Sequence, residues 1–287
     1  MQRRAWIVTV GCVLAATALA APAPLKTIAT GHGPTLLLIH GLGGTLEAWK
    51  PTGERLHGYK IVVAEIPGHG QEPMPDSFTV AAAGERVAAT LATLGAESTI
   101  VVGQGMGGVF ALRALAAHPG SARGLVLIDV SLIGTVQGAD QQQRMLVFID
   151  ENYDSVVKNA FGHMGRDSAQ SAEILAQFQS LPPPTLKAYL AGLMTLDANR
   201  DIRSVKVPIL AIGTNRVWSA DVDSTGFMKQ MGYEGAAALS LARVTRTGFL
   251  VATDRPDTLA PLLDGFTRRV LGKGAPPPHT GAGRPRR

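Results

Sequence analysis

Short, uninterrupted apolar runs recur along this chain, and each ends near a glycine-rich turn. Thr35–Ile39 leads into His40-Gly41-Leu42-Gly43-Gly44, and Ile61–Ala64 precedes Pro67-Gly68-His69-Gly70. Ser98–Val102 runs into Gly103-Gln104-Gly105-Met106-Gly107-Gly108. Runs this short lack the in–out alternation of a strand with one wet face. They suit strands of a parallel sheet covered on both sides. Gly124–Asp129, Val207–Ile212 and Leu239–Val244 extend the set. Helical spacing falls between them, over Val80–Leu94, from the glycine-rich turn to His118, and over Thr258–Val270. Strands alternating with helices predict an α/β fold, a mostly parallel sheet with helices on both faces.

Residues 131–205 break this rhythm. They contain no clear strand, but Met145, Phe148, Phe161, Leu175, Phe178, Tyr189 and Met194 stand at helix-compatible spacing. Pro182–Pro184 divide the stretch into two helical parts. It reads as a helical lid separating a first core segment, 21–130, from a second, 206–271. Its large apolar side chains either pack between lid and sheet or roof an apolar pocket.

The ends differ from the core. Arg3 and Arg4 precede an apolar run from Ala5 to Ala20 that closes on Ala18-Leu19-Ala20. Residues 1–20 therefore read as a signal peptide cleaved before Ala21, giving an exported protein, periplasmic or secreted. The run is short for a membrane span, so no integral membrane segment is expected after cleavage. The lone cysteine, Cys12, lies inside it, which leaves a mature chain without thiols; lipidation there is a weaker alternative. The ends also account for the pI of 9.6. Residues 1–20 and 272–287 hold six of the 27 Lys and Arg and no acid, leaving 21 bases against 22 acids. A basic face for nucleic acid is not expected, and the tail 272–287 reads as a disordered basic end.

With these motifs in this order, the chain resembles the α/β-hydrolase superfamily, in its lid-bearing lipase and esterase branch. The resemblance rests on Gly31-His32-Gly33-Pro34, His40-Gly41, Pro67-Gly68-His69-Gly70, the glycine-rich elbow, and Asp254-Arg255-Pro256. In that family's strand count, the lid follows the sixth strand. Family chemistry needs an elbow serine in a G-x-S-x-G turn, a histidine base, an orienting acid, and two backbone N–H donors for the oxyanion. The resemblance places Gly105 at the nucleophile position, Arg216 of Gly213-Thr214-Asn215-Arg216 at the acid, and Phe249 of Thr247-Gly248-Phe249 at the base. None of these side chains can do triad chemistry. The oxyanion corner it implies is formed by Gly41, Leu42, Gly105 and Met106, with donors from Leu42 and Met106.

Three functions follow. The leading one is a catalytically degenerate protein that binds a small apolar carbonyl or carboxylate compound at the surviving corner. The second is a hydrolase acting on an ester, lactone or related carbonyl compound without a triad, with His40 or Asp129 as improvised acid or base. The third is an ordinary serine hydrolase whose triad lies elsewhere. His69 and His40 stand in turns where structural roles are the plainer reading. No metal-ligand motif such as H-x-x-H or H-E-x-x-H occurs, so neither a metal nor a cofactor is expected.

Overall fold

A computed structural model describes residues 21–136 and 138–272. The expected signal segment, and the basic tail from Lys273 onward, lie outside the described residues. Seven strands form one sheet: β1 (Thr27–Gly31), β2 (Thr35–Ile39), β3 (Lys60–Ala64), β4 (Thr99–Gln104), β5 (Gly124–Ile128), β6 (Ile209–Thr214) and β7 (Leu239–Val244). Their order is β1-β3-β2-β4-β5-β6-β7, and only β1 runs antiparallel, against β3. β2 to β6 supply nearly every buried residue of the sheet's centre. Alternate side chains enter two cores: Leu37, Ile39, Val101 and Leu127 on one face, Leu36, Leu38, Val102 and Ile128 on the other. Helices α1 (Val80–Ala92) and α2 (Met106–Ala117) cover the first face, and the closing helix Pro256–Leu271 covers the second through Leu259, Leu263 and Phe266. Burial on both faces is why these strands are written as continuous apolar runs.

Between β5 and β6 the chain builds five helices among the described residues: Ala139–Glu151, Tyr153–Phe161, Ser168–Ser180, Pro183–Met194 and Asn199–Ser204. The insert follows the fifth described strand, which is the sixth in the family's count because that count begins one strand earlier. One feature corrects the sequence reading: the helical parts outnumber the expected two, since the chain breaks at Asn152 and again at Gly162–Asp167 without any proline. Pro183 instead opens a helix, where its missing N–H costs nothing. No helix among the described residues is long and apolar enough to cross a membrane.

The strand order places the site. The chain moves outward from β2 to β3, then returns across β2 to β4. The crevice beyond the carboxyl ends of β2 and β4 is the topological switch point, where open α/β sheets bind ligands. The loops after both strands, and those after β5, β6 and β7, meet at that end.

Candidate active site

The turn after β4 is built for close approach. Gly105 holds φ +49° and ψ −122°, a left-handed backbone that favours glycine. Packing around it is tight. A Cβ on Gly103 would sit 2.4 Å from Gly108 Cα, and one on Gly107 would sit 2.3 Å from the His40 carbonyl oxygen. These glycines let the first turn of α2 lie against β2 and β4. At Gly105 itself a Cβ would meet nothing nearer than Gly41 Cα, at 3.9 Å. The position where a side chain would project is open.

Gly108 and Val109 both donate back to the Gly105 carbonyl, at 3.0 and 3.1 Å. The Met106 and Gly107 N–H groups are then the free donors of the first turn, at the positive end of the helix dipole. Across the crevice, the loop after β2 is pinned by two buried histidines. His69 donates from Nδ1 to the Pro67 carbonyl at 3.1 Å and accepts the Gly43 N–H at Nε2 at 2.9 Å. His40 donates from Nδ1 to the Gly41 carbonyl at 2.9 Å, and its Nε2 faces the Ile66 N–H at 3.4 Å. Gly44 donates to the Gly41 carbonyl. These tethers bracket Leu42.

Burial and the neighbouring His69 push the His40 pKa down to about 3, and burial lowers that of His69 as well. Both rings are neutral, with both nitrogens engaged. His40 therefore holds the loop and has no nitrogen left to exchange a proton with a substrate, which removes it as the expected acid or base.

Asp129 is placed differently. It follows β5, whose last carbonyl, on Ile128, accepts the Gly105 N–H at 2.9 Å. It holds φ +49°, one of two such non-glycine residues among those described. Its carboxylate accepts the Thr214 N–H and the Thr214 hydroxyl, each at 2.7 Å. Desolvation raises its pKa; the Thr214 bonds and the Arg216 charge oppose that rise. Such a group is a stronger base than an ordinary carboxylate once ionised.

Arg216 and Phe249 lie against one another. The guanidinium carbon of Arg216 stands 5.8 Å from the centroid of the Phe249 ring. The ring's far edge faces Gly41, 3.3 Å from where a Cβ would lie. Phe249 is anchored by its own backbone: its N–H donates to the Met164 carbonyl at 2.7 Å, and its carbonyl accepts from the Gln104 side chain. The inserted helices supply a roof. Phe161 and Phe178 stack with centroids 3.7 Å apart, and Phe178 lies 6.1 Å from Phe249 and directly over Gly43.

One residue organises this region beyond what the sequence reading assigned. Asp254, expected only at the start of the last helix, has a buried side chain that accepts four hydrogen bonds. Arg166 and Gln170 of the insert donate to one oxygen; the Thr247 hydroxyl and the Gly248 N–H donate to the other. It staples the insert to the loop that carries Phe249. Among the described residues, no three His, Cys, Asp or Glu side chains are grouped so as to hold a metal ion.

The sequence profile of the alpha/beta hydrolase fold family matches residues 34–186, more than half the chain. A pimeloyl-[acyl-carrier protein] methyl ester esterase of Xanthomonas campestris is 30% identical over 234 residues, covering 80% of this chain and 79% of that protein.

The chain belongs to the α/β-hydrolase fold family.

Solved members share its architecture. A hydrolase from Oleispira antarctica superposes with a TM-score of 0.72 at 17% identity, over 87% of this chain and 96% of that one. A thermophilic esterase from Thermogutta terrifontis gives 0.70 at 18% identity, over 86% and 94%. This kinship corrects the leading functional expectation. A degenerate binding protein is not what the relatives indicate: the curated relative aligned over four-fifths of the chain is an esterase.

Proposed function

We propose that the protein hydrolyses an ester, or a related lactone, of a small apolar acyl compound, by direct attack of water. The kinship with esterases over most of the chain carries this reading. The geometry supports a route that needs no serine. A Cβ at Gly105 would meet only Gly41 Cα, at 3.9 Å, and the attacking water takes that position. The substrate carbonyl oxygen lies against the Leu42 and Met106 N–H groups, where negative charge is stabilised as it develops. Asp129, one strand over from the elbow, takes a proton from the water as its oxygen bonds to the carbonyl carbon. The tetrahedral intermediate collapses, the C–O bond to the alcohol breaks, and Asp129 returns the proton to the departing alkoxide. Arg216 favours the ionised form of Asp129 between turnovers. The Phe161–Phe178–Phe249 roof suits an apolar acyl chain, as in the methyl ester named for the Xanthomonas relative.

Hydrolysis of 4-nitrophenyl butyrate tests the base. A positioned general base contributes about 10²–10⁴-fold, so Asp129→Asn should lower kcat by at least about 100-fold. The wild-type rate should rise with pH through a pKa above the usual carboxylate range, because burial raises that of Asp129. A rate within twofold of wild type in Asp129→Asn would remove Asp129 from the mechanism.

A further inference from the structure

A second concave site opens on the other side of Phe249. A cleft of about 500 Å³ lies between the inserted helices and the loops after β6 and β7; Arg166, Arg216, Arg246, His163 and Asn215 contribute to its lining. Asp167 is the one acid among the lining residues, and it pairs with Arg166 at 3.4 Å. Arg166 is further neutralised by the buried carboxylate of Asp254, at 2.5 Å. Arg216 and Arg246 have no such partner: among the described residues, neither forms an ion pair with a carboxylate. Asp129 attracts Arg216 electrostatically without a direct ion pair, its two oxygens accepting from Thr214.

The backbone gives an independent sign. Arg246 holds φ +60°, a conformation that L side chains rarely adopt and that glycine would take freely. A strained arginine that lines a cleft together with a second arginine lacking a direct carboxylate partner is poorly explained by folding alone, since strain of this kind collects at functional sites. Guanidinium groups present paired N–H donors that match the two oxygens of a carboxylate or phosphate edge. Asn215 adds a neutral amide to the same lining.

We propose that this cleft is a binding site for a small carboxylate- or phosphate-bearing molecule, clamped between Arg216 and Arg246. Its occupant is distinct from the ester at the Gly105 corner, because Phe249 stands between the two. The proposal does not depend on catalysis, and its test uses binding alone.

Titration calorimetry of the purified protein with malonate, and separately with inorganic phosphate, at fixed ionic strength reads the site directly. The expected result is saturable one-to-one binding of at least one of the two. Loss of a charge-assisted bidentate contact should weaken that binding by about tenfold or more in Arg216→Gln and in Arg246→Gly. Arg246→Gly also removes the strained side chain, so it should melt no lower than wild type and cannot lose binding merely by unfolding. Arg55→Gln, an exposed charge outside the cleft, should bind as wild type does. Which anion binds more tightly distinguishes a carboxylate from a phosphate ligand. Absence of saturable binding of both anions, equal binding by the two cleft variants, or an equal loss in Arg55→Gln would overturn the proposal.

Discussion

Replacing Gly105 by serine separates what the elbow backbone costs from what its chemistry can do. The added Cβ finds only Gly41 Cα, at 3.9 Å, so no clash opposes it. The penalty is the backbone alone: φ +49° with ψ −122° strains any side-chain-bearing residue by about 1–2 kcal/mol. For a chain of this size that lowers Tm by about 2–8 °C. Gly103→Ala is the contrast. Its Cβ would be forced to 2.4 Å from Gly108 Cα and 2.5 Å from Gly108 N, backbone atoms that cannot swing aside. Overpacking of that kind costs about 3 kcal/mol or more. Calorimetry or thermal denaturation of the two variants measures the difference. Fluorophosphonate labelling of the new serine should be slow, with Asp129 as its sole base, because Phe249 and Arg216 supply neither an imidazole nor a group to orient one. Labelling should become fast only when Phe249→His and Arg216→Asp are added, with strongly non-additive effects. Labelling of Gly105→Ser alone as fast as that of the triple variant would refute the reasoning, since it would require an imidazole-like base that the structure does not place there. So would melting of Gly105→Ser as low as that of Gly103→Ala.

Other expectations follow from the same contacts. Asp254→Ala leaves four donors without their acceptor in a buried site; it should cost about 3–5 kcal/mol and loosen the insert, read by denaturant melts and by proteolysis within 131–205. His40 and His69 are held neutral, with folded-state pKa values below the unfolded value of 6.5. Their contribution to stability is therefore complete above pH 6.5 and is lost as pH falls below it, down to about 3 for His40, at up to about 1.4 kcal/mol per pH unit for each ring. Melting temperature should decline across that window, and His40→Gln should flatten the decline. Export predicts that the native protein begins at Ala21 or a near neighbour; intact Met1 on soluble cytoplasmic protein would contradict it.

Much of the fold was legible because burial on both faces writes itself into sequence. Thr35–Ile39 and Leu239–Val244 form as read, and the ends of the other runs shift by two residues or fewer. β1 was missed for the opposite reason: all five of its residues are exposed, so Thr27–Gly31 carries no apolar run. At the site, Gly105, Arg216 and Phe249 are assigned by motif spacing, and the structure brings Arg216 against the Phe249 ring. The pinning of the loop by His40 and His69 was foreshadowed by their glycine-rich turns, but which nitrogen bonds to which carbonyl depends on β2 and β3 lying side by side. Nothing local marked the bridging role of Asp254, whose donors lie 84–88 residues away in the insert as well as in the loop just before it. The cleft between Arg216 and Arg246 is likewise a product of tertiary structure. The expectation of lost catalysis went astray because it equated the loss of all three triad side chains with a missing reaction, whereas the relatives indicate an esterase.

Turnover in the presence of a fluorophosphonate tests the central claim most directly. Purified protein, incubated with excess probe and then assayed on 4-nitrophenyl butyrate, should hydrolyse the ester at its untreated rate, carry no covalent adduct by intact mass, and lose that activity in Asp129→Asn. Activity abolished in step with stoichiometric labelling of a serine, or no hydrolysis above buffer from the untreated protein, would contradict it.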